Sequence, residues 1–279
     1  MGLVFVPTPL GNLRDITLRA IDTLGEASLI VAEDSRVTRK LLGALGIDAK
    51  EIWTYHDHNA AATTAAIIAR AAAETVAVVT DAGTPAISDP GAGLVRAARE
   101  AAVPVEVLPG PAAFVCAAVL SGFDLARFRF AGFAPRTSSA RRAAFRETRA
   151  ETTVWYESPH RIRSLLHDLA EVEPDARVFV VRELSKLYEQ QVLGTPADVA
   201  NALSQPVRGE ICLVVEGREA IASADGSTTI EDELAIDRDI DALIAAGETT
   251  SAIAKRLTEA GRGERRHLYA RVAERRHRS

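Results

Sequence analysis

Short apolar runs alternate with longer Ala/Leu-rich stretches over the first part of the chain. The runs LVFV (3–6), LIVA (29–32), IWTY (52–55), VAVVT (76–80) and VEVL (105–108) are rich in β-branched residues, and several are apolar at consecutive positions. Such runs suit strands buried on both faces. Between them, Ile16 to Leu24, Thr38 to Leu45, Ala61 to Ala73, Leu94 to Ala102 and Ala112 to Leu120 have helical length and one apolar face. The alternation predicts an α/β fold around a parallel or mostly parallel sheet.

From Phe123 the texture changes, with aromatics, arginines and a Pro-Arg-Thr-Ser-Ser turn in LARFRFAGFAPRTSSARRAAF. A second α/β unit follows. Its strands are predicted at TTVWYE (152–157), RVFVVREL (177–184), QQVLGT (190–195) and EICLVVEG (210–217), with helices near 160–171 and 196–204. The close spacing of these strands allows antiparallel pairing. SADGSTT (223–229) has linker composition, and 231–274 reads as a small helical module. The expected domains are 1–122, 123–219, a linker at 220–232, and a basic helical module at 233–279.

A chain of 279 residues suits two compact domains with an appendage, and 47% hydrophobic with 25% charged residues is ordinary globular composition. The start lacks a basic segment and meets Pro7 before any signal-type apolar run, so the expected location is cytoplasmic. Cys116 and Cys212 sit in apolar stretches and read as small buried hydrophobes, with no disulfide and no zinc site expected. Net charge is −5, unevenly spread: from Arg262 to Arg278 seven arginines face Glu264 and Glu274. A basic tail on an acidic protein is either a solvated helix face or a nucleic-acid footprint.

The candidate chemistry gathers at VTDAGTPAISDPGAG (79–93). Three glycines and two prolines after a strand shape a loop that lets backbone approach a ligand, at the carboxyl end of a sheet where ligands bind. The loop lacks both the GxxxxGK[ST] and GxGxxG orders of phosphate loops. It carries Asp81 and Asp89 and no basic residue between Arg70 and Arg96. Two carboxylates at ~4 to 8 Å would repel a phosphate by several kcal/mol at an effective dielectric near 20. A cationic, hydroxyl-bearing ligand such as S-adenosylmethionine fits better. The alternative is a tight turn capped by aspartates, and whether Asp89 touches ligand or only caps the helix beginning at Gly91 stays open. A second glycine turn, LPGPAAF (108–114), can form another wall.

Taken together, VPTPLGNLRDITLRAIDTLGEASLIVAEDSRVTRKLL, VTDAGTPAISDPG, LPGPAAF, VWYESPHRI, VRELSKLYEQ and RGEICLVVEG resemble, in order, the motifs of the ribosomal RNA small subunit methyltransferase I family of the tetrapyrrole methylase superfamily. The resemblance runs strongly from Val6 to Gly217 and weakly through the tail. It implies a class III methyltransferase: two α/β domains, S-adenosylmethionine in the cleft between them, commonly a homodimer, acting on the ribose 2′-oxygen of a cytidine in the decoding region of 16S rRNA within the 30S particle. By motif position it puts Pro9, Asp81, Gly83 and Ile87 against the methionine end of the cofactor. Ala112, Ala113, Tyr156, Leu184, Glu210 and Ile211 would surround the nucleoside end. The first loop, PTPLGNLRDIT, departs from the glycine-rich form of the cobalamin-type and uroporphyrin-type members, which favours the RNA branch over a tetrapyrrole or other small-metabolite acceptor.

Methylation of a hydroxyl calls for positioning and for a proton acceptor. The candidates are Glu157, His56 and, if burial lowers its pKa, Lys186; Glu157 capping the next turn and His56 as a loop residue are the structural alternatives. Metal binding by His56, Asp57 and His58 is rejected because neighbours on an extended segment point to opposite sides. RNA contacts are expected from Arg14, Arg36, Arg39 and Lys40, and from the tail through Arg265, Arg266, Arg271, Arg275 and Arg276. Asp34 equally suits the role of organising Arg36.

Overall fold

The computed structural model describes residues 1–279 other than 49, 57–58, 218–229, 261, 263–264 and 279, and side chains other than those of 230–235, 265–266, 274 and 277–278 in addition. By its contacts the chain divides into two units, Met1–Ile221 and Ala222–Ser279.

The first unit contains two five-stranded sheets. In the first sheet β1 (Gly2–Phe5), β2 (Leu29–Ala32), β3 (Glu51–Thr54), β4 (Thr75–Val79) and β5 (Val105–Val107) are all parallel, in the order β3-β2-β4-β1-β5. Side chains alternate between its faces. Leu3, Phe5, Leu29, Val31, Val76 and Val78 pack in one core with residues of α3 (Ala60–Ala73) and α4 (Ala92–Glu100). Ile30, Ala32, Ala77 and Val79 pack on the other side with α1 (Leu18–Glu26) and α2 (Ser35–Ala44). Both faces are covered, which is why the strands read as continuous apolar runs. Each fully buried Leu or Ile contributes ~1.5 to 3 kcal/mol to this arrangement. The local starts are also encoded: the Thr17 hydroxyl accepts from Ala20 N, and Asp34 caps α2 by accepting from Arg36 N.

The second sheet is mixed. β6 (Phe128–Phe133), β7 (Thr152–Glu157), β8 (Val178–Arg182), β9 (Gln190–Gly194) and β10 (Ile211–Val215) lie in the order β6-β7-β10-β8-β9, with β6 parallel to β7 and the other pairs antiparallel. One face packs on α6 (Ser138–Glu147), α7 (Ile162–Val172) and α8 (Pro196–Ala202) through Phe145, Ile162, Leu165, Leu166, Leu169 and Val199. The other face is covered by α5 (Ala113–Ser121), whose Ala117 and Ala118 meet Val154, Phe179 and Val214. Thus α5 follows a strand of the first sheet but packs on the second.

Two elements were not expected from the sequence, β6 and α6. The period of β6 is broken by a bulge between Phe130 and Phe133. In α6 two arginines are turned inward: Arg141 pairs with the buried Asp168 at 2.5 Å, and Arg142 reaches the same carboxylate at 3.1 Å. The placement of α5 corrects the reading of Cys116 as buried. With Ala117, Ala118 and Ser121 turned inward, Cys116 is exposed beside Val115 and Val119, whereas Cys212 is buried on β10.

Among its described residues the second unit has the helices Ile230–Ala245, Thr250–Glu259 and Arg265–Arg278, around Ile236, Ile240, Ile253, Leu257, Leu268 and Val272. The segment read as a linker, 223–229, lies outside the described residues. No helix among the described residues is long and apolar enough to cross a membrane.

Candidate active site

All five strands of the first sheet end on the same edge, so the loops that follow β1, β4 and β5 gather there. Thr8 and Gly83 form an antiparallel bridge with mutual bonds of 2.9 and 3.0 Å, which ties the loop after β1 to the acidic loop after β4. Thr84 Oγ1 donates to the Pro111 carbonyl at 2.8 Å and ties in the loop after β5. Gly83 has φ +83°, and a Cβ there would crowd Leu10. Ala86 (φ 68°) and Ser88 (φ 63°) are left-handed without being glycine. Such strain persists only where surrounding structure imposes it, and it concentrates at functional sites.

The second sheet supplies the opposing wall. Tyr156, near the end of β7, has its hydroxyl accepting from Phe114 N, in the first turn of α5, at 3.2 Å. Its ring packs edge-on against Phe130 and Phe133, with centroids 4.9 and 5.6 Å away. Gly209, at φ +84°, lies where a Cβ would overlap the Glu183 carboxyl. Lys186 Nζ stands 2.9 Å from both Glu183 and Glu210, and the Ser185 hydroxyl donates to Asp15 Oδ2 at 2.5 Å, fastening this wall to the loop after β1.

Between the walls is a cavity of about 330 Å³. Residues 82–84, 87–89 and 112–114 with Leu10 line one side; Phe133, 156–159, Val181, Leu184 and 209–212 line the other. The lining is mostly apolar with a few polar groups, the usual make-up of a small-molecule site. Its charge is acidic. Asp81 accepts from Asp34 N at 3.2 Å, and burial pushes its carboxyl up. Asp89 is pushed up to about 7, first by burial and then by Glu33, Asp81 and Glu210. By contrast, the side-chain bond from Arg36 holds Asp34 down at about 2.

A family profile, Tetrapyrrole (Corrin/Porphyrin) Methylases, matches residues 2–200. Ribosomal RNA small subunit methyltransferase I of Halalkalibacterium halodurans is 42% identical over 219 residues, 77% of this chain and 75% of that protein. The protein of the same name from Streptococcus pyogenes serotype M1 is 38% identical over 275 residues, 96% of this chain and 93% of that one. This chain belongs to the ribosomal RNA small subunit methyltransferase I family of tetrapyrrole methylases. In fold it is similar to diphthine synthase (TM-score 0.62, 15% identity, 77% of this chain and 89% of that one). It is likewise similar to a cobalt precorrin-4 methyltransferase of cobalamin biosynthesis (TM-score 0.60, 18% identity, 77% and 94%). The chain is therefore a methyltransferase, and its family chemistry requires a methyl donor.

In this methyltransferase Gly83, Ile87, Ala112, Ala113, Tyr156, Leu184, Glu210 and Ile211 all line the one cavity, while Pro9 and Asp81 adjoin its lining residues Leu10 and Ala82. Sequence reasoning overlooked Phe114, Phe133 and Cys212 as lining residues. Phe133 belongs to the unrecognised β6, and Cys212 alternates with the core-facing Leu213, a signal the period of β10 does carry.

The candidate proton acceptors are placed very differently. Glu157 lines the cavity, but one oxygen accepts from Ser158 N at 2.7 Å and the other faces Arg161 at 3.0 Å. His56 begins the turn into α3, where its N–H donates to Asn59 Oδ1 at 2.9 Å, and it is not among the lining residues. The condition set for Lys186, a pKa lowered by burial, is not met: burial lowers it, but bonds to Glu183 and Glu210 outweigh that and raise it above the usual lysine range. Asp57 and His58 lie outside the described residues, and among the described residues no three metal-binding side chains cluster.

Among the basic candidates, Arg14, Arg36, Arg39 and Lys40 are exposed near the edge that carries the loops. Arg36 is engaged with Asp34 at 2.6 Å, and Arg39 donates to Ser35 Oγ at 3.2 Å. In the tail, Arg271 pairs with Asp237 at 2.8 Å, Arg275 pairs with Asp237 and Asp241 at 2.7 and 2.5 Å, and Arg276 donates to the Glu248 carbonyl. Arg265 and Arg266 begin the last helix, and their side chains lie outside those described.

Proposed function

We propose that this chain transfers the methyl group of S-adenosylmethionine to the ribose 2′-oxygen of a cytidine in the decoding region of 16S rRNA, acting on the small ribosomal subunit in the cytoplasm. The observation that carries the reading is the cavity itself: an apolar chamber walled by both sheets, with acidic and no basic side chains lining it. The relatives reported above are named for the small-subunit rRNA they methylate.

S-Adenosylmethionine fits these residues by chemistry. Its adenine and thioether arm suit Leu10, Ile87, Leu184 and Ile211, its cationic groups suit an acidic surround, and its carboxylate suits the start of α5, where Ala112 contributes no capping side chain. When bound, it supplies an electrophilic methyl group. The protein's share of the work is to hold the two reactants in line and to exclude water. Arg14, Arg39 and Lys40 are assigned to phosphate contacts beside the cleft, where backbone contacts position the substrate. A homodimer is supported by the outer face of α5, which leaves Val115, Val119 and Leu120 at 45%, 66% and 41% exposure.

The test is transfer of tritium from labelled donor into 30S particles that lack the modification, with the product mapped to a single ribose. No incorporation into a competent particle, or transfer to a porphyrin-type acceptor instead, defeats the reading.

A further inference from the structure

Of the carboxylates that line the cavity, Glu157, Glu210 and Asp89, with Asp81 beside it, all but Asp89 are committed. Glu157 serves Ser158 N and Arg161, Glu210 is paired with Lys186, and Asp81 accepts from Asp34 N. Asp89 is different: it lines the cavity, half-buried, and among the described residues no hydrogen bond or ion pair holds its carboxyl. Nor does it cap α4. That helix starts from Gly91, at φ 145°, with no side-chain capping bond.

The backbone presents Asp89 to the cavity at some cost. Ala86 and Ser88 both occupy the left-handed region just before it, Ser88 faces Gly132 on the bulged β6, and a Cβ at Gly91 would press on Ala86 and Phe5. A strained loop that aims an unbonded carboxyl into a chamber is a costly arrangement for a purely structural residue.

Resting on the reading of the cavity as a hydroxyl-methylating site, we propose that Asp89 is the proton acceptor of the reaction. An O–C bond forms at the acceptor oxygen as its O–H bond breaks. The proton passes to the Asp89 carboxylate, and the electron pair of the broken C–S bond stays on the donor's sulfur, which becomes a neutral thioether. The groups facing Asp89 suit this role. Glu33 and Asp81 from the first sheet's loops and Glu210 from the second wall are acidic, and the Tyr156 hydroxyl is neutral and held by Phe114 N. Burial first, and then the like charges of Glu33, Asp81 and Glu210, push its carboxyl up to about 7. An acid half-protonated near neutrality is a weak permanent counter-ion for a cationic donor. It is well matched to taking up a proton.

The experiment compares wild type, Asp89→Asn and Asp89→Glu in three readouts: kcat for transfer into unmodified 30S particles from about pH 5.5 to about pH 9, donor affinity by calorimetry, and carboxyl titration of the ligand-free protein by ¹³C NMR. Wild type should show an acid limb in kcat and one carboxyl titrating near neutrality. Asp89→Asn should lower kcat ~10² to 10⁴-fold, abolish both features and leave donor affinity within about twofold, while Asp89→Glu recovers part of the rate. Wild-type kcat in Asp89→Asn, a retained acid limb, or donor affinity falling as far as kcat would overturn the proposal while the function reading stands. No transfer by wild type would overturn both.

Discussion

The cavity and the C-terminal helices hold their charges in opposite ways. In the second unit, arginines that look in sequence like a free basic tail meet an aspartate row on the helix Ile230–Ala245: Arg262 with Asp239, Arg271 with Asp237, and Arg275 with Asp237 and Asp241. Around the cavity, like charges are gathered instead, and among the described residues Asp89 is left unpaired. Paired charges there hold a fold together at modest gain, whereas an unpaired one is kept at a cost and is the better marker of function. Net charge along a sequence does not separate these cases.

The buried end of the paired class gives the largest expected effect. Asp168 accepts from Ser138, Arg141 and Arg142, and its side chain and that of Arg141 are only 4% and 7% exposed. Asp168→Ala leaves Arg141 buried without its anion, and urea denaturation should show a loss of ~3 to 5 kcal/mol. Although burial raises the Asp168 pKa, the bonds from Ser138 and the two arginines outweigh it, so the net shift is downward. Its contribution is therefore present above the unfolded value of about 4 and is lost as pH falls through the folded one, and the gap between wild type and variant should close in acid.

Next is Gly209→Ala. It forces a side chain into the left-handed region and against Glu183, so stability should fall by ~1 to 2 kcal/mol. Because Gly209 lines the cavity, donor affinity measured by calorimetry should fall as well; an unaffected affinity would detach this wall from the donor.

Asp89→Asn tests the unpaired class through stability. A carboxyl raised in the folded state favours folding while protonated, and that advantage disappears as pH rises from about 4 to about 7. The variant should melt above wild type at pH near 8, with the difference vanishing towards pH 4. A constant difference across this range would mean that Asp89 has a partner at neutral pH.

The smallest effects belong to the exposed pairs. Arg275→Ala should destabilise by less than ~1 kcal/mol and leave the salt dependence of particle binding unchanged, because its charge is already met. Lys40→Ala should leave stability unchanged and reduce the log-affinity against log-salt slope by about one. If Arg275 moves the slope and Lys40 does not, the footprint belongs to the tail after all.

Local pattern was enough for much of this protein. The parallel sheet was legible because strands covered on both faces must be apolar at successive positions, and the loops after β4 and β5 were legible because glycine and proline have backbone consequences of their own. Helix starts such as Thr17 and Asp34 rest on bonds spanning two or three residues. The sequence by itself thus determined the fold class, the sheet edge at which the cavity lies and the acidity of its main loop. Only the tertiary structure decided where α5 packs, and with it the exposure of Cys116; that Arg141 is buried and that Arg262, Arg271 and Arg275 meet aspartates; and that, among the described residues, no bonding partner holds the Asp89 carboxyl. Each of these depends on which distant side chain arrives beside a group. Solvation and pairing, unlike hydrophobic period, are properties of neighbours in space.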